Sequence, residues 1–312
     1  MESMPEFLCG RISVRRGGST VPLMPLTPAS PLHPQASSRL IGENHRVQSI
    51  EIPEHEHENF CLHLQTLGSP KLEWWWDGKN GVEHPRPGSL ILLPPGTRDR
   101  LRWEGISERL IVSLDSDYVS TVAVDAGCNQ TVDFQTRWHF SDAALQSILG
   151  EIGREFSAGW PLGRLYADSL GLRLALALLK GQTLQPLVFP AARGGLPSRA
   201  LKLSLEFITE NLHRDIRLSD IAGTVGLSQF HFAHMFRDAT GQTPHQYLLD
   251  QRMARAKHLL RTTALSIEEI GTAVGFERAT AFSRSFASRE GVSARSWRRE
   301  VLRPSEFRFG RD

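Results

Sequence analysis

In the stretch PEHEHENFCLHLQTLG, which begins at Pro53, His55, His57 and His63 offer three imidazoles within nine residues. Imidazoles beside carboxylates are the donor set of iron and zinc sites. A further carboxylate, Asp99, follows in RPGSLILLPPGTRDRLRW. The same histidines alternate with glutamates, as residues also do on a solvated polar turn. A different chemistry is written near the other end. IAGTVGLSQFHFAHMF starts at Ile221, and IGTAVGFERATAFSRSF starts at Ile270, 49 residues later. Both read as a short apolar helix, a glycine and a second apolar helix. Ser228 sits where the second helix of the first copy needs an N-cap, and helix-start amides of this kind can meet a phosphate.

Charge divides along the chain. The whole sequence of 312 residues carries a formal +2, yet residues 196–312 hold 18 Lys and Arg against 13 Asp and Glu. A basic C-terminal third behind an acidic remainder suits a polyanion partner. The three cysteines, Cys9, Cys61 and Cys128, are widely spaced with no CxxC, which argues against a disulfide scaffold and fits a reducing cytoplasm. Neither a membrane-length apolar run nor a signal peptide is legible, so a cytoplasmic protein without membrane partners is expected.

The elements that must position these residues follow from period and punctuation. Residues 1–38 are rich in Pro, Ser and Gly without periodicity and are expected to be a disordered extension, so that Met24 could even be the natural start. Residues 39–125 break into short β-branched and aromatic runs separated by Gly, Pro and Asp, at the spacing of a sandwich or barrel. Residues 126–183 turn helical, with Ser141 as an expected N-cap and Leu165, Leu172, Leu176 and Leu179 near one stripe. That stripe is expected either to form a dimer interface or to pack on the protein's own core. Residues 184–197 read as a linker, 198–303 as helices only, and 304–312 as a tail. Within the helical part we expect helices at 198–212, 218–225, 229–239, 243–262, 266–274, 278–289 and 293–301.

The doubled unit is the sequence pattern of a helix-turn-helix, whose second helix enters the major groove. Gly226 and Gly275 supply the turn, and Phe232, Met235, Phe236, Phe282, Phe286 and Trp297 are expected in the core. Ser266 with Glu269 is a capping box, and Thr243 before Pro244 suits N-cap and N1. The helix from Pro244 has about 20 residues, or roughly 30 Å at the α-helical rise, close to the ~34 Å of one duplex turn. A rod of that length lets one chain present two recognition helices to successive major grooves. Arg252, Arg255, Lys257 and Arg261 on this rod are read as a solvated stripe or as phosphate contacts.

The motifs GLS..HF...F....G..P..Y and R...A..LL......I.EI....GF.....FSR.F....G.S...WR, spanning about residues 198–302, resemble the DNA-binding domain of AraC/XylS-type transcriptional regulators. The resemblance covers a third of the chain. It implies that bases are read from Phe230, Ala233 and His234 in the first recognition helix, with Arg237 meeting phosphate. In the second it implies Ala279, Thr280, Ser283 and Arg284, with Arg284 set for a bidentate guanine contact. Ser228, Gln229 and Arg278 at the helix starts complete the expected DNA-binding set. The Ala at 279 and 281, where relatives carry longer polar residues, implies that the second unit mostly positions the protein.

The two histidine- and glycine-bearing stretches of the N-terminal half resemble the two halves of a cupin barrel. Asp99 stands where a metal cupin has its second-motif histidine, and no glutamate stands at the right offset, so we expect no metal, no cofactor and no catalytic residues. The expected fold is therefore an α+β two-domain chain. A cupin-like β-barrel with flanking helices precedes an all-α domain of two helix-turn-helix units joined by a long helix. The resemblance implies a small-molecule effector inside the barrel, with Phe60, Leu62, Leu64, Trp74, Trp76, Leu90 and Leu92 as candidate lining residues. It also implies a homodimer on promoter DNA that acts with RNA polymerase, as an activator. Two other readings compete: a metal-dependent cupin enzyme with a DNA-binding tail, and a ligand-independent regulator whose barrel only dimerises.

Overall fold

The computed structural model describes residues 11–24, 37, 39–128, 132–187 and 195–302. The tail at 304–312 and the middle of the expected linker lie outside these residues. The chain divides into two compact units, Met1–Trp160 with Tyr166–Arg193, and Gly194–Asp312 with Pro161–Leu165.

The first unit is built on one antiparallel sheet. Its spine is a pair of 17-residue strands, β3 (Leu40–Glu56) and β8 (Arg98–Leu114), with register shifts at Val47/Ser49 and Ile52/His55. Such bulges bend a strand and raise its twist. The front half of β8 takes β5 (Lys71–Trp76), which pairs in turn with β6 (Lys79–Glu83). The rear half takes β4 (Phe60–Leu67), then β7 (Leu90–Leu93) and β9 (Arg137–Phe140). At the other edge, β1 (Ser13–Arg16) and β2 (Ser19–Pro22) form a hairpin that joins β3 through Arg15 and Glu56. The expectation of a disordered 1–38 therefore fails at residues 11–24. Ile12, Val14, Leu23 and Met24 are buried in the same core as Ile52, Leu72, Leu101 and Trp103. The alternation of Ile12, Val14 and the Gly17-Gly18 turn was the missed signal, masked by the proline-rich stretch after it.

Two more elements were unforeseen. Helix α1 (Ser116–Asp125), capped by Asp115, falls at the end of the stretch expected to be strands, and strand β9 falls inside the stretch expected to be helical. Helix α2 (Ala143–Ala158) is capped by the Asp142 side chain rather than by Ser141. Helix α3 (Arg164–Gly181) carries the leucine stripe, but Leu165, Leu172 and Leu179 are at most 5% exposed within the chain itself. Those three leucines are thus committed to internal packing.

The second unit is all helix: α4 (Ser198–Glu210), α5 (Leu218–Gly223), α6 (Gln229–Thr240), α7 (Pro244–Thr262), α8 (Ile267–Ala273), α9 (Ala279–Glu290) and α10 (Ala294–Val301). Expected and observed boundaries agree to within two residues because local chemistry sets them. Ser228 caps α6. Thr243 and Gln246 close a capping box over Pro244 on α7, and Ser266 with Glu269 does so on α8.

Candidate nucleic-acid interface

The two copies share one turn. Leu227 N–H donates to Ala222 O (3.1 Å), and Phe276 N–H donates to Gly271 O (3.0 Å), each pair five residues apart and 49 residues from its counterpart. Gly226 (φ +68°) and Gly275 (φ +88°) precede the donors. This is a helix-ending turn in which a left-handed residue lets an orphan carbonyl be met.

The turn fixes the roll of the following helix. On α6, Phe232 and Phe236 are fully buried one turn apart, as are Phe282 and Phe286 on α9. Those on α9 pack in a cluster with Phe276, Ile270, Val274 and half-buried Trp297. Residues on the opposite face are then presented outward. On α6 these are His234 and Arg237, both exposed, with Gln229, Phe230 and Ala233 half-buried beside them. On α9 they are Thr280, Ser283 and Arg284, exposed, with Ala279 half-buried and Arg278 exposed at the N-cap. The structure therefore brings each set onto one helical face. Ala281 does not belong there: it is 3% exposed and packs in the core, so its small size is a packing matter.

Two contacts alter the expected picture. His234 Nδ1 lies 3.2 Å from Asp238 Oδ2, one turn on, so the imidazole is already oriented by a carboxylate. The spacing of four was legible in the sequence and was missed. On the rod, Arg252 is buried and Lys257 pairs with Glu290 of α9 at 3.0 Å, while Arg289 of α9 pairs with Asp250. Of the four basic rod residues, only Arg255 and Arg261 are exposed as a solvated stripe requires. The rod's 19 residues give a length of about 28 Å at the α-helical rise.

In the first unit, the seven candidate lining residues divide between two faces of the sheet. Trp74 and Trp76 pack on the inner core, Trp74 stacking on Trp138 at 4.9 Å between ring centroids. The inner-facing residues of β4, β7 and β8 include Cys61, Ile91, Leu93, Leu101, Trp103 and Ile111. Phe60, Leu62, Leu64, Leu90 and Leu92 have the opposite parity. Their strand partner Leu110 lies 3.0 Å from where a Cβ on Gly153 of α2 would sit. Phe60 lines a cleft of about 860 Å³ with Pro94, Val119 and Ala123.

The histidines also separate. His55 and His57 converge with Asp99, all at most 2% exposed, with one donor atom from each inside a 4.8 Å span. His57 Nε2 is 3.2 Å from Asp99 Oδ1, and His55 Nε2 is 4.0 Å from Oδ2. His55 Nδ1 is 2.9 Å from Pro53 O. Burial holds the His55 pKa below its ordinary value, against the pull of Asp99. His63 stands apart, with Cys61 Sγ 3.4 Å from its Nε2.

Two glycine-turned helix pairs, each offering one face of a second helix and joined by a rod, define a double helix-turn-helix DNA-binding protein. A helix-turn-helix domain family model matches residues 221–300. The MmsAB operon regulatory protein of Pseudomonas aeruginosa is 33% identical over 272 residues, covering 84% of this chain and 82% of that one. The arabinose operon regulatory protein of Salmonella typhimurium is 32% identical over 184 residues, 58% of this chain and 60% of its own. A solved AraC-type regulator from Chromobacterium violaceum is 29% identical, with a TM-score of 0.32, over 34% of this chain and 95% of its own. The chain belongs to the AraC/XylS family of transcriptional regulators. None of its described helices is long and apolar enough to cross a membrane.

Proposed function

We propose that the second unit reads promoter DNA through both recognition helices, in successive major grooves, and that the first unit holds a small-molecule effector. One observation carries the first part: the Phe232/Phe236 and Phe282/Phe286 pairs roll both helices so that the same outward phase bears His234 and Arg237, or Ser283 and Arg284. The direct readers are Phe230, Ala233, His234, Ala279, Thr280, Ser283 and Arg284. Ser228, Gln229, Arg237 and Arg278 position the backbone. Binding of the effector has to favour one regulatory state over another. Activation through RNA polymerase and homodimerisation follow the family; Leu165, Leu172 and Leu179 lend no support to the dimer because they pack internally.

Arg284→Ala decides the direct-readout assignment. A bidentate arginine–guanine pair is worth about 1–3 kcal/mol of discrimination. The variant is expected to lose roughly 5- to 150-fold on the selected operator and little on random DNA. Fluorescence anisotropy on both duplexes measures it, with footprinting of the operator alongside. Equal losses on both would reduce Arg284 to a phosphate contact, and protection of one groove per protomer would sink the two-groove reading.

The buried His55, His57 and Asp99 group supports a second reading of the first unit, as a divalent metal site. The donors fit: a His55 Nδ1–H bond to Pro53 O aims an unprotonated Nε2 at a carboxylate, and a cation between them relieves two facing lone pairs. His55 and His57 would then hold the ion with Asp99, which would supply Lewis acidity or a structural clip. Elemental analysis of protein purified without chelator is expected to give near-stoichiometric Zn, Fe or Mn, and to fall in Asp99→Ala. Substoichiometric metal in the wild type assigns the group to a histidine–aspartate ion pair instead.

A further inference from the structure

Arg109 of β8 is 1% exposed, yet among the described residues its Nε, Nη1 and Nη2 all lack a hydrogen-bond partner. A buried, unmatched guanidinium is a costly arrangement, since charges are taken out of water only when paired. Its surroundings explain how it is held. The Arg109 Cζ lies 3.5 Å from the centroid of the Trp103 ring. The His63 ring is nearly parallel to Trp103, at 12°, with centroids 6.5 Å apart. Trp103 thus covers one face of the guanidinium with His63 close by, and its rim of N–H donors has no partner among the described residues.

Among the described residues, the neighbours do not supply the missing anion. Across the ladder stand His45 and Gln65. His45 Nε2 is taken up with Glu43 Oε2 at 2.6 Å, while Glu43 Oε1 accepts from Ile12 N–H at 2.8 Å. Gln65 accepts from Ser107 Oγ at 3.1 Å and donates to Leu67 O. Burial pulls the Arg109 pKa down to about 9, so the group still carries its charge near neutrality. Burial and the adjacent guanidinium hold the His63 pKa well below its ordinary value, so that imidazole is neutral there.

We infer that Arg109 anchors the carboxylate of a monoanionic organic acid bound inside the sheet of the first unit, with the acid's apolar body against Trp103, Cys61, Ile91 and Ile111. The inference rests on the reading of that unit as an effector site, and it names the effector's class. A guanidinium rim presents parallel N–H donors that match a carboxylate two by two. A single cation beside a neutral imidazole balances one negative charge. A phosphate dianion would bring a second charge with nothing to meet it.

The test is thermal unfolding of the full-length chain with propionate, isobutyrate, hexanoate, benzoate and phenylacetate. Each is paired with its primary amide, and inorganic phosphate, glucose and arabinose are run beside them. At least one acid is expected to raise the Tm of the wild type where its amide does not. Arg109→Met is expected to match or exceed the wild-type Tm without ligand, because it removes an unmatched charge at similar volume, and to lose the acid response at least tenfold in affinity. Arg109→Lys should keep part of it. If Arg109→Met does not fold, the contrast between acid and amide in the wild type decides. Acid and amide acting alike, phosphate acting as well as the acids, or Arg109→Met keeping the response overturns the proposal. A sugar that stabilises wild type and Arg109→Met equally overturns the acid assignment and leaves the effector site standing. A wild type that responds to none of these probes removes the support for both.

Discussion

A chain begun at Met24 is expected to lose the stable fold of its first unit. The hairpin of β1 and β2 places Ile12, Val14 and Leu23 at 2%, 0% and 1% exposure against Ile52, Leu101 and Trp103. Full burial of one such side chain is worth about 1.5–3 kcal/mol, so the three together contribute roughly 5–9 kcal/mol. A whole domain is stable by about 5–15 kcal/mol. The truncation also strips Glu43 of the Ile12 amide, at 2.8 Å, and of Arg11, at 3.9 Å, leaving a buried carboxylate with His45 alone of these partners. Scanning calorimetry should show the first unit's transition lowered by more than about 10 °C or absent. The transition of the DNA-binding unit should stay in place. A first-unit transition unchanged by removal of residues 1–23 would show the hairpin to be a passive cover.

Arg252→Ala is expected to destabilise the second unit by about 3–6 kcal/mol, at roughly 1.5–3 kcal/mol for each of two bonds from a charged donor. Arg252 Nε donates to Leu212 O and Nη2 to Arg214 O, both at 2.8 Å. Its guanidinium carbon lies 5.5 Å from the Phe276 ring centroid. Burial lowers its pKa to about 10, which leaves it charged at neutral pH. The residue therefore ties the segment between α4 and α5 to the rod and to the second helix-turn-helix. Gly275 belongs to the same knot. A Cβ there would lie 2.5 Å from Leu212 O and 2.7 Å from Arg252 Nη2, whereas nothing lies within 4 Å of one at Gly226. The repeated glycines thus share a backbone shape but not a constraint. Urea unfolding of the wild type, Arg252→Ala and Arg252→Lys checks the account. Lysine, a single point donor, should fall between the other two. A loss below about 1 kcal/mol in Arg252→Ala would mean that solvent replaces both carbonyl contacts.

The second unit was legible because its information is local. Capping residues sit within four positions of what they cap, as Ser228, Thr243 and Ser266 do. Glycine ends α5 and α8 through its own φ, and pairs of phenylalanines four apart set the outward face on which the candidate readers lie. Even there, Arg252 looked like one more basic residue on a helix surface, because only the fold brings Leu212 and Arg214, some 40 positions away in sequence, to its tip.

Sequence alone determined the helices and turns of the second unit and its double helix-turn-helix architecture. Tertiary structure decided the interior of the first unit. On β4, both the even residues Phe60, Leu62 and Leu64 and the odd residues Cys61, His63 and Gln65 are buried. A strand covered on both faces has no alternation from which its inward side can be read. The choice of face, the docking of a hairpin onto β3, the meeting of His55 and His57 with Asp99 some forty residues on, and the burial of Arg109 against Trp103 all come from strand pairing at long range. Such pairing depends on which backbones reach each other, and short-range pattern does not record it.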